Sequence, residues 1–380
     1  MLDAIKKIAV NMLTGASIVT SLFLIAVGYS DRLSPVDHPL LACLGMAFPF
    51  FILANLLMLF LMLIFKWKRV WVPILGFALA YVPIRTYIPL HFSRDVPQDC
   101  IKVLSYNVCG YGGNYRYEKA VDTVASYIRR IDADIVCLQE DHGGKGGNPV
   151  EALAQIYPYN DTTQLSPGGT PLVNCLGIHT RYPIIRKERL PMESQANGSV
   201  AYFLQVGADT LIVINNHLEA THLSVSDRNR YKQVIKGEME REAAEEEAVS
   251  IIERLGDSMA KRAPQADILN QYIEEHAHYP IILCGDFNDT PISYVRRVVS
   301  QNLTDCFVES GCGLGLSFNQ KGFNFRIDHI MCSSHFEPYN CMVDDDMDAS
   351  DHYPIMCWLK MRHRPSEQQS IVKESEVSHP

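Results

Sequence analysis

Two long stretches of this 380-residue chain contain no Asp, Glu, Lys or Arg: residues 8–29 and 39–65. A third apolar run, 70–90, contains Arg85 as its one charged residue. About 20 apolar residues suffice to cross the hydrocarbon layer, so each run is long enough. Three in succession argue against a purely soluble fold. There is also no CxxC among the eleven cysteines. Cys137 and Cys284 lie in strand-like runs and read as buried thiols. Cys306/Cys312 and Cys332/Cys341 are close enough in sequence to pair, but spacing alone does not decide it, and the compartment stays open. An excess of positive charge is missing as well. Residues 1–98 carry eight Lys/Arg and four Asp/Glu; subtraction from the totals of 34 and 43 leaves 26 and 39 for the remainder, a net of −13. That balance gives no general attraction to nucleic acid, although a local metal site can offset an acidic field.

The apolar runs divide the chain. Residues 1–92 read as a membrane segment with three transmembrane helices, about 8–29, 39–65 and 70–90, the second long enough to need tilt or a kink at Pro49. The first run is long for a cleaved signal peptide and two more follow it, so it reads as retained. Lys6 and Lys7 precede the first span, and Lys66, Lys68 and Arg69 fill the second loop. The positive-inside rule places both in the cytoplasm, so three crossings put everything after residue 90 on the outer side, as in a bacterial inner membrane. Residues 100–360 read as a soluble domain large enough for a sizeable core. The polar tail, 361–380, reads as disordered.

Within the soluble part, strands are expected at 101–106, 134–139, 176–179, 200–206, 211–216, 280–284, 327–332 and 355–359. Helices are expected at 118–130, 151–156, 238–260 and, starting near Pro264, to about 276. The Glu run of 238–260 reads as a solvated helix face, and the acidic cluster at 344–348 as a solvated loop. Residues 207–209 look like a hairpin turn. βα units mixed with hairpins point to two packed sheets flanked by helices. No internal repeat is present.

Several apolar strands finish in a residue suited to phosphate or metal. "LSYNV" ends near Asn107, "DIVCLQE" in Glu140, "IVINNHLEA" carries Asn216 and His217, "IILCGDFND" carries Asp286, Asn288 and Asp289, "FRIDHIM" holds Asp328, and "SDHYPI" holds Asp351 and His352. Singly, each has a structural explanation: a turn, a helix start, a satisfied core histidine. As an ordered series over nearly the whole soluble domain they resemble the motifs of the endonuclease/exonuclease/phosphatase superfamily. The layout of three spans followed by this domain is similar to that of membrane-anchored bacterial members.

The resemblance implies an α/β four-layer sandwich of two packed mixed β-sheets flanked by helices, behind the three-helix membrane segment. It implies Mg2+ as cofactor, with Mn2+ as a substitute. Glu140 would be the main ligand with Asn107 close by, and Asp351 would support the metal directly or through water. Asp286 would activate water, Asn288 would hold a phosphate oxygen, and His352, paired with Asp328, would contact the phosphate. His217 would stabilise the phosphorane or assist the leaving group, so that Asn107, Asn288 and His217 face the substrate. The chemistry is coherent: a hard cation with carboxylate ligands neutralises phosphoester charge, and a carboxylate beside histidine favours imidazolium. No cysteine sits among the motif ends, which disfavours zinc. The expected partners are the bilayer and a phosphoester substrate (a lipid headgroup, a nucleotide or nucleic acid), with no obligate protein partner. A nuclease using the same site is the alternative. A non-catalytic binding domain on an anchor is the alternative of another class, opposed by the intact motif set. Specificity would lie in loops 141–149, 165–174, 194–199 and 310–325.

Overall fold

The computed structural model describes residues 2–112, 120–142, 149–167, 174–221, 225–320 and 323–362. The tail from 363 on, the start of the 118–130 helix, and parts of the loops at 141–149, 165–174 and 310–325 lie outside the described residues.

Two six-stranded mixed sheets form the core of the soluble part. The first contains β1 (Cys100–Asn107), β2 (Ile135–Gln139), β3 (Tyr159–Gln164), β4 (Cys175–Thr180), β13 (Phe336–Val343) and β14 (Ile355–Met361) in the order β13-β14-β1-β2-β4-β3. The second contains β5 (Ile184–Arg189), β6 (Gly198–Val206), β7 (Asp209–His217), β8 (Ile281–Asp286), β9 (Thr304–Asp305) and β12 (Asp328–Cys332) in the order β5-β6-β7-β8-β12-β9. A small hairpin, β10 (Phe318–Gln320) with β11 (Phe323–Phe325), stands apart.

Strand periodicity explains the layering. Side chains alternate between faces, and here both faces are covered, so the central strands are apolar throughout. Val103, Ile135, Cys137, Val213, Ile282, Cys284, Ile355 and Cys357 meet between the sheets. Their neighbours Leu104, Val136, Leu138 and Met356 face the helix Ala120–Ile131, while Ile212, Ile214, Ile281 and Leu283 pack with Ala266, Leu269 and Ile273 of the helix Arg241–Glu275. The result is four layers, helix–sheet–sheet–helix.

The second outer helix differs from expectation. One continuous helix runs from Arg241 to Glu275 through Pro264, where two were expected. Proline removes one ladder hydrogen bond, but Ala263, Gln265 and Ala266 beside it are buried, and that packing carries the helix across. Of the strands not foreseen, β9, β10 and β11 are two or three residues long, β3 and β5 are polar, and β13 (FEPYNCMV) is interrupted by Pro338 and a register shift between Tyr339 and Met342. β3 and β5, with sequences YNDTTQ and IIRKER, lie at sheet edges, where charge is favoured because it blocks further pairing. All eleven cysteines are free thiols, and Cys137 and Cys284 are fully buried.

Ahead of this domain are two helices long and apolar enough to cross a membrane, Val10–Arg32 and Pro39–Phe65, or three if a bent pair counts as one. The pair is Trp67–Leu79 and Tyr81–Tyr87, which meet at 61°. The third run is therefore not a straight span: Pro83 clashes with helical continuation from Leu79. The second run is also divided. Its regular helix is Phe48–Phe65, about 27 Å long at 1.5 Å per residue. Residues 39–47 instead rest on the soluble domain. A Cβ on Gly45 would collide with the Ile292 carbonyl oxygen, and Gly256 lies against Pro39. Further ties join the two parts: Arg297 Nε donates to the Asp31 carbonyl (2.8 Å), and Arg326 Nη2 to the Thr86 carbonyl (2.6 Å). At the opposite end, Arg69 reaches Asn11 and Thr14.

Candidate active site

The alternation that fills the inter-sheet core also places the polar strand ends. On β1, positions 101, 103 and 105 lead to Asn107; on β7, 211 and 213 lead to His217; on β8, 282 and 284 lead to Asp286. On β12, Ile330 and Cys332 share a face with Asp328. Asp286 and Asp328 have inter-sheet residues two and four positions away, and Asn107 and His217 have Val103 and Val213 four positions away, with Ser105 and Asn215 between, bridged by Gln139, so the four polar side chains emerge at one end of the sandwich. Register completes the arrangement: Asp286 lies beside His217 on one side and Asp328 on the other.

At that end, Asn107 Nδ2 donates to Asp286 Oδ2 (3.1 Å) and Glu140 Oε1 (3.3 Å). His217 Nε2 stands 3.7 Å from Asp286 Oδ2 and 3.9 Å from Glu140 Oε1. His352 Nε2 lies 3.6 Å from Asp286 Oδ2, and its Nδ1 is 2.8 Å from Asp328 Oδ2. Asp286 Oδ1 accepts the Asn288 backbone N–H at 2.7 Å. Glu140 and Asn288 both have positive φ, 54° and 52°, a sharp turn directly after the strand end or one residue beyond it. Asn288 turns its amide onto the Leu218 carbonyl (3.0 Å). Asp351 accepts from Gln320 (3.2 Å), and its charge reaches Glu140. All eight expected residues thus gather at this end. The other polar motif residues do not: Asn216 takes a hydrogen bond from Ser199, and Asp289 pairs with buried Arg262 at 3.3 Å.

The electrostatics divide the titrating groups. Burial lifts the Asp286 carboxyl, aided by the Asp328 charge, to about 6, against the opposing pull of His352 and His217. Burial alone would lower His352, but Asp328 and Asp286, with Asp351, raise it to about 10, so it is an imidazolium at neutral pH. His217 goes the other way, driven down chiefly by burial. It is neutral, and because Nδ1 meets the Asn174 amide Nδ2 at 3.1 Å, its proton sits on Nε2, facing the site. Burial, with the Asp351 charge, raises Glu140.

Among the described residues, Asp286, Asp328 and His352 form the one group of three such side chains with ligand atoms within 4.8 Å of one another. A protonated imidazole cannot ligate a cation, so that trio reads as an ion-pair network. The oxygen donors of Glu140, Asp351 and Asn107 are the better fit to a hard divalent cation: the two carboxylates raise each other's cost of ionisation, which a cation between them would offset.

Several supporting residues were not singled out in the sequence, although Gln139, Asn215 and Ser350 lie inside the motif runs. Asn174 fixes the His217 tautomer from a loop without periodicity. Gln139 and Asn215 (2.7 Å apart) form a polar layer beneath the site. Ser317 Oγ accepts the Asp328 N–H (3.0 Å), and Phe318 packs edge-on against His352 at 5.0 Å. Ser350, the first residue of the "SDHYPI" run, ties the Asn107 carbonyl (2.7 Å) to the His352 backbone N–H (3.2 Å); its place in the motif was the available hint.

Two sheets with carboxylates, imidazoles and an amide converging at one end define a hydrolytic α/β sandwich. The sequence profile of the Endonuclease/Exonuclease/phosphatase family matches residues 104–352, and the chain belongs to that family, whose members are metal-dependent phosphoester hydrolases. A second profile, described as Domain of unknown function (DUF8431), matches residues 10–87. No curated protein matches the chain. Among solved structures, an endonuclease/exonuclease/phosphatase from Beutenbergia cavernae is similar at 17% identity and a TM-score of 0.51, over 70% of this chain and 73% of that one. The human Nocturnin catalytic domain with bound sulfate is similar at 17% identity and 0.50, over 72% and 99%. At these identities the likeness concerns the fold.

Proposed function

We propose that the protein is a membrane-anchored, Mg2+-dependent phosphodiesterase or phosphatase in which water attacks phosphorus in line. The carrying observation is the meeting of Asn107, Glu140, His217, Asp286 and His352 within 4 Å contacts at one end of the sandwich. Glu140, Asp351 and Asn107 hold Mg2+, for which Mn2+ substitutes. When bound, the cation neutralises phosphoryl charge.

The protein's own groups do the rest. Asp286 takes a proton from the attacking water; a carboxyl lifted to about 6 is a better base than an ordinary one while still ionised at neutral pH. The water oxygen bonds phosphorus, the ester P–O bond breaks, and the proton ends on the departing oxygen. His352, held as imidazolium by Asp328, donates to a phosphoryl oxygen. His217 donates from Nε2 to the phosphorane or the leaving oxygen, and Asn288 orients the phosphate.

Residues 1–92 anchor the domain, with 100–360 as the catalytic unit, the N-terminus cytoplasmic and the catalytic domain outside. The contacts support this arrangement of sides. The loop after the first span and the end of the third both touch the catalytic domain, while Arg69 lies near the N-terminal helix at the other end. Purified full-length protein with bis-p-nitrophenyl phosphate tests the reading. Turnover should require Mg2+ or Mn2+ and be lost in Glu140→Gln together with Mn2+ binding measured by electron paramagnetic resonance. Turnover without a divalent cation would overturn it.

A further inference from the structure

A cavity of about 90 Å3 runs from the catalytic loop toward the membrane segment. Its walls are apolar: Met46, Leu255, Met259, Phe318 and Phe325. Met46 is two residues before the helix Phe48–Phe65. Leu255 and Met259 belong to the long helix Arg241–Glu275. Phe318 is the ring packed on His352, and Asn288, at the inner end, lies two residues after Asp286. One wall therefore belongs to the foot of an apolar helix and the opposite end to the site.

At the polar end, Arg262 is fully buried. Its Nε binds Asp289 and its Nη1 the Glu219 carbonyl (2.9 Å), but among the described residues Nη2 has no acceptor. Buried donors are nearly always satisfied, so this one is matched to an acceptor oxygen that arrives with a ligand. Arg262 is paired with Asp289, so the cavity offers a donor with little net charge and suits hydrocarbon bearing a carbonyl rather than a second phosphate.

The outer surface near this seam is apolar too. Leu40, Leu41 and Leu44 are exposed, as are Val249 and Ile252 on the long helix. The two segments touch where Cys43 Sγ approaches the Ile252 carbonyl at 3.7 Å. An apolar patch continuous with a membrane-crossing helix belongs at the boundary between headgroups and acyl chains.

We propose that the substrate is a membrane lipid phosphoester taken directly from the bilayer. Its phosphate lies among His217, Asp286, Asn288 and His352, the start of an acyl chain lies between Met46 and Leu255/Met259, and its ester or amide carbonyl accepts from Arg262 Nη2. The reaction is the hydrolysis described above, and the inference rests on that reading.

The experiment compares phosphatidic acid, phosphatidylglycerol and phosphatidylethanolamine in mixed micelles with their deacylated counterparts. It uses the full-length protein with Mg2+, and bis-p-nitrophenyl phosphate as a soluble reference. At least one acylated ester should turn over ten times faster than its deacylated form. Leu255→Trp and, from the facing wall, Met46→Trp should each lower the ratio of lipid to reference turnover at least tenfold; reference turnover also reports folding. Equal rates with and without acyl chains, preference for a DNA oligonucleotide, or a ratio unchanged in both variants would overturn the lipid assignment while leaving the hydrolase standing. No turnover of any ester, the reference included, would overturn both.

Discussion

Asp328 touches no substrate atom in this account; it acts through the imidazole 2.8 Å away. Asp328→Asn should therefore lower kcat by about 100-fold, the scale of losing one charged donor to the transition state, and leave KM little changed. Steady-state kinetics on a soluble diester decide it, and full activity would remove His352 from the mechanism. Asp305 lies outside the site and concerns stability. Burial alone raises its carboxyl, but His329 at 3.4 Å, Arg296 at 3.1 Å and the more distant Arg326 overcome that and hold it well below the ordinary range. It also caps a short helix through the N–H groups of Phe307 and Val308. A depressed folded-state value stabilises above the unfolded value, about 3.9, and that contribution disappears as pH falls through and below it. Asp305→Asn should cost about 3–5 kcal/mol at neutral pH, the range for unpairing buried charges. The gap between the thermal melts of the two proteins should begin to narrow only below about pH 4 and keep closing as pH falls further toward the depressed folded value; a gap constant with pH would contradict the assignment.

At the scale of elements, strands β7 and β8 carry His217 and Asp286 side by side, and Gly285 makes that possible. Its φ is 138°, and a Cβ there would collide with the Asn216 backbone. Gly285→Ala should push the strands apart, destabilise the domain and reduce turnover at least 100-fold; a folded, fully active variant would show the spacing to be tolerant. The same strands show what a sequence can reveal. Period-two alternation in LSYN, LIVINNH and IILCGD fixes both the buried face and the polar residue that ends it, so the central strands and most of the site were legible. The edge strands were not, because YNDTTQ and IIRKER lack an apolar face to declare them. Asn174 was illegible for another reason: its role comes from a loop meeting β7, a contact between distant segments. Pro264 misled as a helix start because local propensity was outweighed by burial on both sides of it.

At the scale of the whole molecule, the N-terminal apolar segment does more than precede the sandwich. Gly45 against Ile292, Asp31 with Arg297, and Thr86 with Arg326 join it to the catalytic domain, and Arg326 lies two residues before Asp328. A fragment of residues 95–380 would leave the buried Arg326 guanidinium short of an acceptor. Its melting temperature and turnover should both fall below those of the intact chain, and equal values would show that the contacts are idle. A protease added outside intact cells should cleave the catalytic domain; protection until lysis would reverse the proposed orientation.

The central claim is that the strand-end cluster hydrolyses phosphoesters with Asp286 as base. Single-turnover hydrolysis of bis-p-nitrophenyl phosphate by intact protein in Mg2+, wild type against Asp286→Asn, tests it most directly. Release of p-nitrophenol by the wild type, slowed at least 1,000-fold in the variant while Mn2+ binding persists, is the predicted result; this is the combined scale of general-base and electrostatic contributions, about 10^2–10^4. Equal rates in the two proteins would contradict the account.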